Sequence, residues 1–526
     1  MTATRVGLLE PITKLVPLAH QGPPLRILMV VTEVSPYASV GGLSRVAAHL
    51  SKELVELGHD VRIFMPKYGF IDEEKYPLEM VMEGLKVHTG EDHGPKELIC
   101  NVKTHLSEGG VRTYFLENME YYEKRANVYG YSDDPIRFLL LSRGSLEFLR
   151  HFEWKPQVIH ANDWQTGSVP NLLKTVYAKS RDLSGIASVF TIHNLFYQGM
   201  FDHRQVSELD FDDGKSPIAP IFSDQLRKQN FIRRGIIYSD VVNTVSESYA
   251  REILTPEYGE GLDKLLLEVR SKLFGVTNGI DYEELNPKTD PLVPYNFDSH
   301  SINNRIKNKI ALQKEFGLPE GQEHFVLGVV SRLSEQKGFD ILLEALPQFL
   351  SSFDAQFIAI GGGEEKYAAA LRDLQEQFPK QVGVHPMPNF TLPRMLFAGA
   401  DGMAIPSRFE PAGLVQLEAM RYGAIPIVRK TGGLADTGVD LNVEEKAGTG
   451  FVFKEYNPWA LFAQLVRAHE NFRNEDIWED LVKRAMEADF SWEASAKRYT
   501  ELYRKAVLFK EREETETGKP KISEEQ

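Results

Sequence analysis

Cysteine is nearly missing: Cys100 is the only one in 526 residues. No intramolecular disulfide and no multi-cysteine metal site can form from one thiol, and the composition fits a reducing compartment. Long apolar runs are missing as well. Nothing approaches the roughly 18 consecutive apolar residues of a membrane-spanning helix. The amino terminus lacks the pattern of a signal peptide, because Glu10, Pro11 and Lys14 interrupt its apolar residues and no basic region precedes them. The expected location is therefore cytoplasmic. Positive charge is in deficit, with 60 Lys and Arg against 75 Asp and Glu and a net charge of −15. That argues against a nucleic-acid partner, which needs a basic face. A local cationic cluster can still hold a small anion within an acidic field.

What is present is ordinary for globular protein: 42% hydrophobic and 26% charged residues. The length exceeds what one hydrophobic core usually serves, about 250–300 residues, so two domains are expected. Residues 1–25 read as an extension ending in the loop Gln21-Gly22-Pro23-Pro24. Arg26–Val31 reads as a buried strand. After Gly41-Gly42, apolar residues recur at helical spacing from Ser44 to Leu57, and Val61–Met65 reads as the next strand. Strand, glycine turn, helix and strand make a parallel βαβ unit. The pattern restarts near residue 325. Strands are expected at Phe325–Val330, Gln356–Ile360, Gly402–Ile405 and Ile425–Val428, and helices at Phe339–Phe349, Lys366–Phe378 and Leu414–Tyr422. The proline-rich stretch 282–300 reads as a linker. The expected division is a first domain over 26–290, a second over 300–490, a last helix over 491–510, and a charged disordered tail over 511–526. The fold class is α/β, with two Rossmann-like doubly wound domains.

Ligands of open parallel sheets bind beyond the carboxyl ends of the strands, and the polar motifs fall there. Arg332 and Lys337 follow a strand; alone, an R-x4-K pair is more often two solvated cations. As fixed cations they suit a diphosphate leaving group, with Arg able to fork onto two oxygens. Thr431-Gly432-Gly433 follows a strand and opens a helix, offering backbone N–H groups to phosphate, and Gly41-Gly42 offers the same geometry in the first half. Neither matches G-x-G-x-x-G, which speaks against a dehydrogenase. Glu410 and Glu418 are eight apart, close to two helical turns, so both are expected on one helix face, Glu410 toward sugar hydroxyls and Glu418 toward a ribose. Helix-dipole preference alone also accounts for a leading Glu. His160-Ala161-Asn162-Asp163-Trp164-Gln165 and Thr191-Ile192-His193-Asn194 each follow a strand. Singly, His193 is more often a satisfied structural histidine, and Trp164 a packing residue.

In combination these stretches resemble the bacterial glycogen synthase and starch synthase family. The resemblance covers most of residues 26–510 and is carried by HANDWQTG (160–167), TIHNLFYQGMF (191–201), TVSESYAREILTPEYGEGLDKLL (244–266), TNGIDYEELNP (277–287), VSRLSEQKG (330–338), PSRFEPAGL (406–414) and IVRKTGGLADT (427–437). It implies the GT-B arrangement, two domains facing a central cleft, with the last helix crossing back to the first domain. It implies a retaining transfer of glucose from ADP-glucose or UDP-glucose to the non-reducing 4-OH of an α-1,4-glucan. It assigns catalysis to His193, Asp163, Arg332, Lys337 and Glu410. It places donor binding at Gly41, Gly42, Asn278, Arg332, Lys337, Glu410, Leu414, Glu418, Thr431, Gly432 and Gly433. Neither a metal nor another cofactor is implied, and no pyridoxal phosphate lysine motif is seen. Asp210-Phe211-Asp212 resembles the metal-binding D-x-D of another glycosyltransferase class, but it does not end a clear buried strand and reads as a solvated acidic loop.

The chain departs from the family pattern in places. The family's K-x-G-G-L lysine is Ser39 here, and the following aspartate position is Arg45. Ala412 replaces a usual cysteine. Glu418 replaces a usual tyrosine and restores the E-x7-E spacing of retaining GT-B enzymes more widely. The Ser39 change leaves two alternatives: a retaining glycosyltransferase with another donor or acceptor, and a non-catalytic glucan-binding homologue.

Overall fold

The computed structural model describes residues 22–200, 212–389 and 391–516. The chain forms two compact units. The first comprises residues 1–245, 250–276 and 492–526, and the second residues 246–249 and 277–491.

In the first unit, β1 (Arg26–Val30), β2 (Asp60–Pro66), β3 (Glu79–His88), β4 (Glu97–Leu106), β5 (Arg112–Glu117), β6 (Val158–Asn162), β7 (Ala187–Ile192), β8 (Val241–Thr244) and β9 (Leu273–Gly275) form one sheet. Its order is β3-β4-β5-β2-β1-β6-β7-β8-β9. β3, β4 and β5 pair antiparallel, and the remaining pairs are parallel. The central strands read as continuous apolar runs because helices cover both faces; β7 is buried along its whole length. The chain leaves β1 on one side toward β2 and later returns on the other side as β6, so the carboxyl ends of β1 and β6 bound the switch point where such sheets open a crevice.

In the second unit, β10 (Phe325–Val330), β11 (Ala355–Ile360), β12 (Val382–His385), β13 (Gly402–Ile405), β14 (Ile425–Arg429) and β15 (Phe451–Phe453) form a parallel sheet in the order β12-β11-β10-β13-β14-β15. This is the dinucleotide-fold order 3-2-1-4-5-6. Its switch point lies between β10 and β13. The expected strands and helices of this half all form, with ends displaced by at most three residues, as when the helix from Phe339 runs to Ser352.

Two expected boundaries move. Residues 277–290 belong with the second unit, not the first. Ile280 N–H donates to Phe490 O at 2.9 Å, the Tyr282 hydroxyl donates to Ala488 O at 3.0 Å, and Ile280 and Leu285 sit in the second core. The stretch 282–300 is likewise packed, with Val293 and Phe297 buried. The final helix extends past 510, running Trp492–Glu516 in the first unit. Its charged end is held by Glu513, whose carboxylate lies 3.0 Å from Lys174 Nζ, while Lys174 also pairs with Asp240 at 2.7 Å. Residues 517–526 lie outside the described residues, as do 1–21 of the expected extension.

The reading of Asp210–Asp212 as a solvated loop fails at Asp212. Its carboxylate forks onto the buried Arg234 guanidinium at 2.8 and 3.0 Å and accepts the Asn230 N–H. Asp210 and Phe211 lie outside the described residues. No helix among the described residues is long and apolar enough to cross a membrane.

Candidate active site

The second unit gathers its polar groups at its switch point. The segment after β10 carries Arg332, then a short 3-10 turn, Glu335–Lys337, closed by Gly338 in the left-handed region at φ 75°. A Cβ at Gly338 would lie 2.1 Å from Pro406 O, so only glycine lets the loops after β10 and β13 touch. Arg408 fastens the same two loops: its N–H donates to Gln336 O, and its guanidinium pairs with Glu335 and Asp340. This closeness brings Lys337 Nζ to 2.5 Å from Glu410 Oε2, which also accepts from Ser407 Oγ at 2.9 Å. Arg332 is exposed, and its guanidinium makes no hydrogen bond or ion pair among the described residues.

Glu410 and Glu418 do not share one helix face, contrary to the expectation from their spacing. Helix Leu414–Arg421 begins after Gly413, a left-handed residue at φ 73°, so Glu410 lies in the loop ahead of it and only Glu418 is helical, although both are buried. Leu414 is the first helical residue and packs against the core. Gly432 and Gly433 open the helix Gly432–Thr437, as expected. Their glycine identity answers to the Glu410 loop, however: a Cβ at Gly432 would meet Glu410 O at 2.1 Å, and one at Gly433 would meet Ala412 O at 2.0 Å. Gly433 N–H donates to Glu410 O at 2.9 Å, so that donor is already engaged. Thr431 is buried, capping position to the same helix. Asn278 is buried, and its Oδ1 has no hydrogen-bond partner among the described residues.

The first unit repeats the pattern at the ends of β1, β6 and β7. Gly41 precedes helix Gly42–Glu56. Of the Gly41-Gly42 amides expected to cradle phosphate, that of Gly41 is engaged from within: it and the Val40 N–H donate to Glu33 Oε2 at 3.0 and 2.6 Å. Glu33 is buried and also accepts from the Tyr129 hydroxyl at 3.1 Å. Gly42 faces open space. Ser39, in place of the family lysine, is exposed and its hydroxyl meets that of Ser44 at 2.8 Å, while Arg45 is exposed on the helix.

Asp163 opens a short helix, Asp163–Thr166, in the left-handed region at φ 55°, one of three such non-glycine residues among those described. Such a backbone costs of order 1–3 kcal/mol and persists where its surroundings hold it. Here Asp163 Oδ1 accepts the His193 N–H at 2.8 Å, binding the end of β6 to that of β7. Desolvation pushes its carboxyl up to about 7, against the lowering effect of the His193 and Asn194 amides. Burial moves His193 the other way, down to about 4, so its imidazole is neutral at pH 7. Trp164 is a packing residue: it meets Phe138 edge-on, and a Cβ at Gly199 would strike its ring.

Sequence reading passed over Glu33, Asn162, Ser407 and Arg408. The last three stand inside motifs already quoted: Asn162 is next to Asp163, and Arg408 and Ser407 are two and three residues ahead of Glu410. Glu33 lies three residues beyond β1, and only that position at a strand end marks it.

The comparisons with known proteins agree with this layout. Residues 26–268 match the family model described as starch synthase catalytic domain, and residues 311–484 that described as glycosyl transferases group 1. The chain is 41% identical to the glycogen synthase of Thermotoga petrophila, over 92% of this chain and 99% of that one. It is 40% identical to glycogen synthase 1 of Synechocystis sp., over 95% and 99%. It is also similar to the catalytic domain of starch synthase IV from Arabidopsis thaliana, solved bound to ADP and acarbose, with a TM-score of 0.80, 32% identity, and coverage of 92% of this chain and 100% of that one. The two α/β units are those of the GT-B fold, and the chain belongs to the glycogen synthase and starch synthase family of glycosyltransferases.

Proposed function

We propose that this chain elongates an α-1,4-glucan by retaining transfer from ADP-glucose in the cytoplasm, with UDP-glucose as the competing donor. The observation that carries this reading is the second unit's switch point: Arg332 with no side-chain partner among the described residues, and Lys337 and Glu410 in contact. Arg332 and Lys337 take the diphosphate. As the glucosyl C1–O bond to phosphate breaks, negative charge grows on the leaving oxygen, and fixed cations stabilise that charge where it appears. Glu410, held by Ser407, accepts hydrogen bonds from donor glucose hydroxyls. Asn278 offers a desolvated carbonyl oxygen to the same donor. The acceptor 4-OH forms the new C1–O bond on the face the diphosphate leaves, and its proton passes to the departing phosphate oxygen. By resemblance to the family, His193 and Asp163 are the first unit's sugar-side residues, His193 as a neutral imidazole.

The ADP preference rests on the family, and on the ADP in the Arabidopsis thaliana relative's structure. The test is glucose incorporation into glycogen from labelled ADP-glucose and, separately, UDP-glucose, beside a Ser39→Lys variant. Faster turnover with ADP-glucose supports the reading. Turnover only in Ser39→Lys identifies position 39 as a lesion and sinks the claim of activity for the native chain.

A further inference from the structure

Asn162 ends β6 and is only 2% exposed. Its backbone is pinned twice: by register with Thr191 of β7, and by its N–H donating to Thr166 Oγ1 at 2.5 Å. Its carboxamide has one tenable orientation. Nδ2 lies 3.3 Å from both Val30 O and His160 O, and an oxygen in that place would face two acceptors. Oδ1 is thereby aimed at His193, 3.0 Å from Nε2. An acceptor at that distance requires the imidazole hydrogen on Nε2. Burial keeps the ring uncharged, and the neighbouring His160 is likewise neutral. A neutral ring with its one hydrogen on Nε2 leaves only a lone pair on Nδ1. His193 is partly exposed, and its Nδ1 has no hydrogen-bond partner among the described residues. Asp163 completes the clamp by holding the His193 backbone N–H.

We propose that Asn162 is a positioning residue that locks His193 in the Nε2–H tautomer, so that Nδ1 acts solely as a hydrogen-bond acceptor for a hydroxyl of the bound sugar. The sugar half of this statement rests on the glucosyl-transfer reading; the tautomer half does not. An acceptor-only nitrogen rewards a hydroxyl and gains nothing from a hydrogen or fluorine in its place, so Asn162 sets substrate discrimination without touching substrate.

The full chain, labelled with 15N-histidine, reports the tautomer directly through its two-bond 15N–1H correlations, with the His193 signal assigned by its loss in His193→Gln. The unsubstituted chain is expected to show Nε2–H. Asn162→Leu is expected to shift the population toward Nδ1–H and to lower kcat/KM for the sugar donor by about tenfold, the scale of one mis-set hydrogen bond. In a series of deoxygenated donors, the one lacking the partner hydroxyl is expected to be slow with the native chain and no slower with Asn162→Leu. An Nδ1–H signal in the unsubstituted chain overturns the proposal whatever the variants do, and so does unchanged kcat/KM in a folded Asn162→Leu. Nε2–H in a native chain that transfers no glucose overturns the sugar reading and leaves the tautomer assignment standing.

Discussion

The Lys337 ammonium rests 2.5 Å from the Glu410 carboxylate, across 73 residues of sequence. Both are mostly buried, so the pair is shielded from the screening that weakens surface ion pairs. Each partner neutralises a charge that would otherwise stand in a partly dry site. On the proposed reading, a diphosphate arriving there would meet a cation already placed, and its hold on Lys337 would free Glu410 for sugar hydroxyls. Lys337→Ala is expected to lower kcat by about a hundredfold or more, the usual scale for one fixed electrostatic stabiliser. Its far-UV circular dichroism is expected to stay native. Near-normal turnover in that variant would remove Lys337 from the chemistry.

Arg332 offers a contrast, because its guanidinium has no partner to lose among the described residues. Arg332→Ala is expected to leave the melting temperature within about 1 °C while weakening the donor, since surface substitutions away from special features stay within about 0.5 kcal/mol. Arg332→Lys is expected to recover activity in part, keeping charge but not the two-pronged contact. A marked fall in melting temperature would mean that Arg332 is structural.

Asp163 gives a pH dependence with a definite sign. Its carboxyl is raised from 3.8 to about 7. Between those values the native chain keeps a proton that the unfolded chain has released, so stability falls as pH rises through that window. Asn preserves the oxygen that accepts the His193 N–H and tolerates a left-handed backbone. Asp163→Asn is therefore expected to match the native chain near pH 4 and to melt higher at pH 8, as followed by calorimetry. Parallel pH profiles for the two chains would refute the raised carboxyl.

The histidines act at the opposite end. His160 and His193 are lowered from 6.5 to about 3 and about 4. Below 6.5 the unfolded chain takes up protons that the native chain refuses, so stability falls as pH drops from 6.5 toward 4. His193→Gln is expected to flatten that slope by up to about 1.4 kcal/mol per pH unit, one proton's worth. Denaturant titrations at several pH values measure it, and an unchanged slope contradicts a neutral His193.

Gly432 tests the support of Glu410. It sits at φ 44° with Glu410 O where a Cβ would go. Gly432→Ala is expected to cost about 1–3 kcal/mol through overpacking and backbone strain, and to lower activity by moving the Glu410 loop. A control at Gly42, where a Cβ meets open space, is expected to melt near the native temperature. Equal losses at both positions would discredit the packing argument.

Much of the fold was legible because its signals are local. Apolar runs such as Phe325–Val330 and Ala187–Ile192 mark strands buried on both faces, and glycine turns mark their ends. Those same turns also make internal contacts that the sequence does not announce. Gly41 and Gly433 look like phosphate cradles in sequence, yet their N–H groups go to Glu33 and Glu410 O. The acceptor in the second case lies 23 residues away, and no periodicity reports it. Glu410 was placed on a helix by spacing, whereas Gly413 turns the chain and starts the helix at Leu414.

By itself, then, the sequence determined the two α/β halves, the motifs that mark the family, and the presence of Arg332, Lys337, Glu410, Asp163 and His193 at strand ends. These follow from hydrophobic period and from residue identity, both of which are local. Only the tertiary structure decided that Lys337 is paired while Arg332 has no side-chain partner among the described residues, that Glu33 fills the first glycine turn, that residues 277–290 join the second core, and that Asp163 and His193 are both driven toward neutrality. Those outcomes depend on which loops the strand order brings together and on how far distant segments exclude water, and a carboxylate or imidazole carries neither fact in its own letter.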